Sequence, residues 1–490
     1  MQRPDDLNDS QWQAVMHKGS HLLITAGPGT GKTHTLTRRI AHLIPSLKSN
    51  EKILAITFTN KAARQMQDRL TALGVRQSQL FIGTFHGFCL KLLRDYFGST
   101  ALPKDFKVAT PEDITGFDKA TLERISHMKS SQLAISPDED YKAYQRYLRQ
   151  NSWIDFDDIL REALLLLEDE NIAAELRHQY RYIFVDEYQD SNIVQNALLK
   201  ILARDGVLLT AIGDANQSIY GFRGSRVELF RRFEEDFAPA QILTLQENYR
   251  SAPSLLTASG QVMGGVPLLA KLSTQGKLVI HQAATDRAEA DYVAHQIEKL
   301  IGGLDMNTSP AKGGASRRAV RSLGDIVILY RLNAERHVLA QALDHLGIPY
   351  QVSQKPKRAE AYSDQEALGQ NEEVLEYNVE KVSLMSLHAA KGLEFPVVFI
   401  VGCEDNLLPL DLIGMKGDPR EERRLFYVGM TRAKEHLYLT HAKRRQLFGQ
   451  TLIQNPSAYM ADIAEELKAY EAARQNTLKK DPDALQMKLF

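Results

Sequence analysis

The stretch Ala26-Gly27-Pro28-Gly29-Thr30-Gly31-Lys32-Thr33 decides the fold of this chain. It follows a short apolar run and precedes a segment with helical apolar periodicity. A glycine-rich turn between a strand and a helix that ends in Gly-Lys-Thr is the pattern of a P-loop, in which backbone N–H groups and the helix N-terminus bind phosphate. We predict that Lys32 reaches the β and γ phosphates of a nucleotide and that Thr33 ligates Mg²⁺. Ala26 replaces the first glycine of the strict pattern, a small change that a P-loop tolerates.

A second element of the same kind of site lies at Ile183-Phe184-Val185-Asp186-Glu187. A buried strand that ends in carboxylates supplies a metal ligand and a base to a nucleotide-hydrolysing site. We predict that Asp186 holds Mg²⁺, directly or through water, and that Glu187 orients and deprotonates the attacking water. These two elements predict a P-loop NTPase but do not indicate what the hydrolysis drives.

The order of β-rich and helical segments predicts two α/β units. Short apolar runs alternate with helical patterns up to about residue 88, and strands resume at Tyr182. Between them, residues 89–179 show no strand pattern and are predicted to be a helical insertion. A second set of β-rich runs lies at 279–280, 326–329, 382–384, 397–401 and 437–439. This rhythm favours parallel sheets in both units.

The composition narrows the class of protein. The chain has 490 residues, 43% of them hydrophobic and 25% charged, which is enough for several globular domains. Its apolar runs are strand-sized, so we expect no membrane span. The net charge of −1 gives no general basic coat, although a local basic channel needs no net surplus. Two distant cysteines favour reduced thiols in a cytoplasmic protein over a disulfide framework or a zinc site.

Further motif-like stretches follow one another along the chain. They are 7–15 (LNDSQWQAV), 56–63 (ITFTNKAA), 83–88 (GTFHGF), 186–190 (DEYQD), 212–224 (IGDANQSIYGFRG), 247–251 (ENYRS), 387–395 (LHAAKGLEF) and 421–433 (EERRLFYVGMTRA). In this order they resemble the Q motif and motifs Ia, Ib, II, III, IV, V and VI of the superfamily 1A helicases of the UvrD/PcrA/Rep type. The resemblance runs from Leu7 to about Leu439.

The resemblance implies an α/β fold of two RecA-like P-loop NTPase domains with parallel sheets, plus a helical insertion in the first. The expected boundaries are 1–88 and 180–240 for the first domain, 89–179 for its insertion, and 241–352 and 381–465 for the second domain. A flexible tail is expected over 466–490. The family usually carries a large accessory domain, called 2B, at the place of residues 353–380, and so short and charged a segment predicts only a vestigial linker.

The resemblance also implies roles at the nucleotide. With ATP and Mg²⁺ as cofactors, Gln11 would read the adenine edge, Tyr249 would stack on the adenine, and Glu394 would bind the ribose. Gln217 would sense the γ-phosphate. Arg250 and Arg432 would reach that phosphate from the second domain, and cations so placed stabilise the charge of the transition state.

Aromatic and polar side chains of the same motifs predict a track for single-stranded DNA, since such binding needs stacking platforms and groups that grip phosphate. The candidates are Phe58, Asn60, His86, Tyr220, Phe222, Arg223 and His388. Buried aromatic residues are common, so about half of the aromatic candidates could instead be core residues. By resemblance, the protein is expected to move 3′ to 5′ on single-stranded DNA, to act on 3′-tailed duplex DNA, and to work as a monomer.

The last residues carry a separate signal. Gln486, Leu489 and Phe490 form a Gln-x-x-Leu-Phe pattern, which resembles the peptide by which bacterial replication and repair proteins dock on the sliding clamp. It offers a hydrogen-bonding group and two apolar anchors to a pocket. So short a match could also arise by chance.

The expected function is therefore an ATP-dependent 3′-to-5′ single-stranded DNA translocase or helicase of repair or replication. One alternative is an ATPase subunit that drives or regulates a partner nuclease and unwinds little by itself. Another is a nucleotide-gated DNA-binding adaptor without catalysis, against which the intact Lys32, Glu187 and Arg432 argue.

Overall fold

Two parallel sheets organise the chain. The computed structural model describes residues 3–265, 267–302, 321–353 and 380–471. The strands are β1 (His21–Ala26), β2 (Lys52–Thr57), β3 (Leu80–Thr84), β4 (Lys107–Val108), β5 (Trp153–Ile154), β6 (Tyr180–Val185), β7 (Leu208–Gly213), β8 (Ala240–Leu245), β9 (Glu247–Asn248), β10 (Leu269–Ala270), β11 (Lys277–Thr285), β12 (Ile326–Tyr330), β13 (Tyr350–Val352), β14 (Val382–Ser386), β15 (Phe395–Ile400), β16 (Asp411–Leu412), β17 (Met415–Lys416), β18 (Ala433–Leu447), β19 (Gln450–Ile453) and β20 (Lys468–Glu471).

Helices cover both faces of these sheets. They are α1 (Asp9–Met16), α2 (Lys32–Leu43), α3 (Asn60–Ala72), α4 (Phe85–Asp95), α5 (Lys119–Ser131), α6 (Glu139–Gln150), α7 (Phe156–Leu166), α8 (Glu170–Gln179), α9 (Ile193–Leu202), α10 (Val227–Arg231), α11 (Phe233–Asp236), α12 (Pro253–Met263), α13 (Asp286–Leu300), α14 (Arg336–His345), α15 (Pro419–Met430) and α16 (Ala458–Ala461). The alternation of strands and helices confirms the predicted α/β class.

The first sheet has the strand order β3-β2-β6-β7-β1-β8, and all its pairings are parallel. Successive residues of β1 point to opposite faces, so that Leu22 and Ile24 pack with α2 in one buried cluster while Leu23 joins another. Because β6, β7 and β1 are neighbours, the segments that follow them meet at one edge of the sheet. That edge is where open parallel sheets bind ligands.

Sheet membership corrects the predicted boundary at residue 240. Strand β8 pairs with β1 over its whole length and therefore belongs to the first sheet, although the sequence predicts that residues from 241 belong to the second domain. An apolar run in the sequence shows that a strand exists but not which sheet it joins. The first unit thus continues to Leu245.

The insertion is mostly helical, as predicted for residues 89–179, and contains α5 to α8. Two differences appear. Helix α4 begins at Phe85 and crosses the expected boundary, and β4 pairs with β5 in a short parallel ladder. Each of these strands has only two residues, too few to leave a periodic signal in the sequence.

The second sheet has the order β13-β14-β12-β15-β18-β11-β20, with β19 antiparallel to β18 at its side. Strand β20 pairs with β11, and the Glu471 carbonyl lies 2.8 Å from His281 Nδ1. The prediction of a flexible tail from residue 466 is therefore wrong for the residues up to Glu471. The polar and charged side chains of β20 give no strand signal in the sequence, although backbone hydrogen bonds hold this strand at the edge of the sheet.

Several predictions fall on other segments. Most of the vestigial linker predicted at 353–380, and the rest of the predicted tail, lie outside the described residues. Strands β13 and β14, on either side of residues 354–379, are adjacent and parallel. In the described part of the chain, no helix has both the length and the apolar character needed to cross a bilayer.

A buried charge cluster lies beside β18. Arg445 donates to both oxygens of Glu404 (2.6 and 2.9 Å) and to Glu289, and all three side chains are buried. The Glu335 carboxyl lies 3.8 Å from the same guanidinium and accepts the Leu332 N–H at 2.8 Å. Burial, with the nearby charges of Glu289 and Glu404, raises the pKa of Glu335 to about 7 although Arg445 opposes the shift.

This raised pKa predicts how the stability of the second domain changes with pH. The folded state binds a proton at Glu335 that the unfolded state releases at lower pH, so the free energy of unfolding falls as pH rises through 7. The loss is up to about 3 kcal/mol. Glu335→Gln should therefore melt at a higher temperature than wild type at pH 8 and differ little at pH 5.

Thermal unfolding followed by circular dichroism at both pH values would measure this difference. Glu234→Gln changes an exposed carboxylate of α11 and should leave the pH dependence unaltered. A Glu335→Gln effect of equal size at pH 5 and pH 8 would contradict the assignment.

Candidate nucleotide and nucleic-acid site

A cavity of about 600 Å³ lies between the two sheets and gathers most of the predicted nucleotide residues. Its lining includes the predicted residues Pro28, Gly29, Gly31, Lys32, Thr33, Asp186, Glu187, Gln217, Tyr249, Arg250, Glu394 and Arg432. Residues from both sheets face one space of the size of a small-molecule site. The structure thus brings together groups that are far apart in sequence.

The phosphate loop takes a conformation that requires glycine. Gly29 has φ +70°, and a Cβ there would lie 2.5 Å from the Asn248 amide nitrogen. Gly31 has φ +84°, and no side chain caps α2 beyond it. The first N–H groups of α2 therefore point to the cavity, which suits a phosphate. Of the other predicted loop residues, Thr30 is buried and its hydroxyl donates to the Gly27 carbonyl at 2.8 Å, and Ala26 ends β1.

The two carboxyl groups after β6, those of Asp186 and Glu187, have different pKa values. Lys32 Nζ lies 3.6 Å from Glu187 Oε1, and the Glu187 N–H donates to Asp186 Oδ1 at 3.0 Å. Burial and the charge of Glu187 raise the pKa of Asp186 to about 7. Burial acts in the same direction on Glu187, but nearby cations, Lys32 first, outweigh it and hold its pKa at about 2. Glu187 is therefore ionised, and Asp186 is a carboxyl that a divalent cation would deprotonate.

Two arginines reach the cavity from the second domain. Arg432 is 1% exposed and donates to the carbonyls of Val428 (2.9 Å) and Leu393 (3.1 Å). It also contacts Gln217 Oε1 at 3.3 Å, across the cleft. Burial lowers the pKa of Arg432 to about 9. Such a desolvated cation interacts strongly with an anion that enters the cleft.

Arg250 is held by the residue predicted to bind the ribose. Its Nε lies 2.6 Å from Glu394 Oε2, and Lys434 Nζ lies 2.7 Å from the other oxygen of Glu394. The geometry therefore makes Arg250 and Glu394 one paired unit.

Lys391 is a functional candidate that the sequence reasoning missed. Its amino group pairs with the buried Asp190 carboxylate and donates to the Gln217 carbonyl at 2.6 Å. The Lys391 side chain is 7% exposed and that of Asp190 is fully buried. This contact joins the second domain to the segments after β6 and β7. A lysine inside the 387–395 stretch was visible, but only the fold shows its partner.

A second, adjoining cavity of about 490 Å³ lies where the adenine is predicted to bind. It is lined by Gln11, His34 and Tyr249 among others. The Tyr249 hydroxyl donates to Glu247 at 2.6 Å, which fixes the ring. The Gln11 amide is already engaged, since Oε1 accepts from the Asn8 N–H and Nε2 donates to the Thr30 carbonyl, both at 3.0 Å. Gln11 faces the predicted adenine position from the N-terminus of α1.

The predicted stacking residues form a row of rings. Phe58 stacks on Tyr220 with centroids 5.1 Å apart, Tyr220 meets Phe222 at 6.1 Å, and Phe222 meets His388 at 5.6 Å. Phe222 is 61% exposed, and the Arg223 guanidinium lies 5.5 Å from its ring centroid. The row combines π-faces and a cation, as single-strand binding requires.

Two predicted residues are placed apart from these ring contacts. His86 stacks on Phe156 of the insertion with centroids 3.7 Å apart, so one face of its ring is covered. Burial lowers the pKa of His86 to about 3, which leaves it neutral. Asn60 is the first residue of α3, which Thr59 caps.

Comparisons with known proteins agree with this geometry. The UvrD/REP helicase N-terminal domain matches residues 7–140 and 118–238, and the UvrD-like helicase C-terminal domain matches 243–358 and 359–444. A probable DNA helicase II homolog of Rickettsia conorii is 30% identical over 94% of this chain and 96% of its own length. The chain belongs to the UvrD-like helicase family. The predicted family resemblance is confirmed.

Other relatives of this UvrD-like helicase carry related names. The ATP-dependent DNA helicase PcrA of Staphylococcus epidermidis is 28% identical over 94% of this chain and 87% of its own. That of Staphylococcus aureus strain MRSA252 is 28% identical over 94% and 86%. The Rickettsia conorii alignment spans 631 positions, more than the 490 residues here. The relative therefore has segments without a counterpart in this chain.

The Lys391–Asp190 contact yields a prediction for this UvrD-like helicase. Removing one partner of a buried ion pair leaves the other charge unpaired and costs about 3–5 kcal/mol. Lys391→Met should lower the melting temperature and impair ATP hydrolysis because it weakens the link between the domains. A double-mutant cycle with Asp190→Asn, measured by thermal unfolding, tests the pair.

The double variant Lys391→Met/Asp190→Asn should be more stable than the sum of the single changes implies, since it leaves no buried unpaired carboxylate. Additive single effects would mean that the two side chains do not interact. Lys48→Met, which changes an exposed lysine, serves as the control.

Proposed function

We propose that this ATP-dependent DNA helicase of the UvrD/PcrA type uses Mg²⁺ and ATP to move 3′ to 5′ along single-stranded DNA as a monomer, in repair or replication. One observation carries the coupling of hydrolysis to movement. Phe58 and Tyr220 line the nucleotide cavity and are also the first two rings of the aromatic row. A change in the cleft must therefore move side chains that face the strand. The direction of movement is taken from the family resemblance.

The residues present fit Mg²⁺. The Thr33 hydroxyl and the Asp186 carboxyl line one cavity beside the phosphate loop, and Mg²⁺ favours such oxygen donors together with nucleotide phosphates and water. When bound, the ion would neutralise charge on the β and γ phosphates. Thr33 and Asp186 are its proposed ligands.

The chain's own residues then perform the chemistry. Lys32 moves from Glu187 to the β and γ phosphates when ATP enters, which frees the Glu187 carboxylate to accept a proton. A water attacks the γ-phosphorus, the bond to the β-phosphate oxygen breaks, and the water proton passes to Glu187. Arg432 and Arg250 approach the γ-phosphate only when the cleft is closed, and Gln217 contacts Arg432 across it. Hydrolysis thereby depends on the position of the second domain.

A second candidate function is that of an ATPase motor for a partner nuclease, and the chain length favours testing it. The alignment with a relative is longer than this chain, and only residues 353–381 separate β13 from β14. An ATPase motor that serves a partner nuclease, with little unwinding of its own, would need no large accessory domain. This alternative requires only movement along single-stranded DNA, without separation of the strands of a duplex.

ATP turnover with and without single-stranded DNA tests the proposal, together with unwinding of duplexes that carry a 3′ or a 5′ tail. Wild type should be stimulated strongly by the single strand and should open only the 3′-tailed duplex. Lys32→Ala should lose hydrolysis, by at least about 100-fold, because the phosphates lose their bound cation.

Lys48→Ala, on an exposed surface lysine, should retain wild-type turnover. Stimulation without unwinding of either duplex would favour the nuclease-partner alternative. Wild-type turnover in a folded Lys32→Ala protein would refute the site assignment.

We further propose that Gln486, Leu489 and Phe490 dock on a sliding clamp. The pattern provides one hydrogen-bonding amide and two apolar anchors, which suits a peptide-in-pocket contact. Its support is the sequence pattern, since these residues lie outside the described range.

Removing residues 486–490 should abolish binding to a purified bacterial sliding clamp, measured by surface plasmon resonance, and leave ATP turnover unchanged. Lys488→Ala changes the same segment outside the pattern and should bind normally. Equal clamp binding by the truncated and full chains would exclude this contact.

A further inference from the structure

Gln189 is a buried polar residue to which the proposed reaction assigns no role. It lies in the short turn Tyr188–Asp190 that follows the acidic pair, and it is 0% exposed. A buried amide must satisfy its donors and acceptor within the protein. Its partners therefore show what it positions.

The donor side of this amide meets the proposed base. Gln189 Nε2 donates to Glu187 Oε2, while the other oxygen, Oε1, lies 3.6 Å from Lys32 Nζ. Glu187 has φ +51° and ψ +43°, a left-handed conformation that is strained for a residue with a side chain. The Gln189 side-chain amide thus fixes one carboxylate oxygen through Nε2, while Lys32 faces the other.

The acceptor side of the same amide meets the segment after β7. Gln189 Oε1 accepts the Asp214 N–H at 3.0 Å, and the Ser218 hydroxyl donates to the Gln189 backbone carbonyl at 3.2 Å. The approach is close, because a Cβ on Gly213 would lie 2.1 Å from Gln189 Oε1. This segment continues within a few residues to Tyr220 and Phe222 of the aromatic row.

We propose that Gln189 is a positioning residue that sets the orientation of Glu187 according to the position of the 214–222 segment. The inference rests on the proposed function, in which Glu187 accepts the proton of the attacking water and the aromatic row faces DNA. It explains how a bound strand stimulates hydrolysis. When DNA shifts Tyr220 and Phe222, the Asp214 N–H shifts the Gln189 amide, and the amide turns the Glu187 carboxylate toward the water.

Gln189→Met tests this role because methionine has similar length but cannot donate or accept as the amide does. DNA-stimulated kcat should fall at least about 10-fold, a part of the 10²–10⁴ that a positioned base contributes. The KM for ATP and the Kd for single-stranded DNA should stay within about 3-fold of wild type, since Gln189 is neither among the residues that line the nucleotide cavity nor a member of the aromatic row. A general loss of packing would change all three quantities together.

Gln195→Met is a matched control. Gln195 is also buried and follows the same turn, but its amide accepts the Asn192 N–H at 3.0 Å in the capping box of α9. It should lower the melting temperature without lowering the stimulation of kcat by DNA. If both variants lose stimulation equally, the role of Gln189 is structural and the proposal fails.

Gln189→Leu serves if the methionine variant does not fold. Its apolar side chain cannot donate to Glu187, so it should show the same loss of DNA-stimulated kcat. Wild-type stimulation in Gln189→Leu would overturn the proposal. Glu187→Gln separates the two levels of inference, because full activity in that variant would refute the assigned base itself.

Discussion

The parallel order β6-β7-β1 is the constraint on which the rest of the molecule depends. Each of these strands ends at the same edge of the sheet, so the phosphate loop, the acidic pair and the segment that carries Gln217 must lie side by side. The hydrogen bonds between strands therefore create the site, and the buried apolar faces on both sides of the sheet keep it rigid.

Three cations of the cleft each face a carboxylate of the protein. Lys32 faces Glu187, Arg250 pairs with Glu394, and Lys391 pairs with Asp190. Burial makes Lys391 and Asp190 costly to separate, whereas the Glu394 carboxylate is exposed to solvent. In the proposed function, a bound triphosphate draws Lys32 and Arg250 away from these carboxylates. The Lys391–Asp190 pair needs no nucleotide, because it forms as soon as the second domain lies against the first. In the proposed function, this exchange of partners links nucleotide binding to closure of the cleft.

Short motifs could be predicted from the sequence because each carries its chemistry locally, as the phosphate loop and the acidic pair do. Long-range relations could not. Strand β8 looks like the start of a second domain until its ladder with β1 is seen, and β20 has no apolar pattern. Lys391 and Gln189 lie within quoted motifs, yet only the fold gives them Asp190 and Glu187 as partners. The Phe156 partner of His86 comes from the insertion, beyond any spacing rule.

The nucleotide cavity and the aromatic row share a wall, and this sharing limits how the protein can work. Tyr220 lies between the Phe58 and Phe222 rings and 4.9 Å from the Lys391 amino group, measured to its ring centroid. Lys391 in turn contacts the carbonyl of Gln217. A movement of the second domain would thus be transmitted to the aromatic row through a single side chain, that of Lys391. The described parts of the proposed coupling between hydrolysis and strand contact therefore all lie in the two sheets and the segments that leave them.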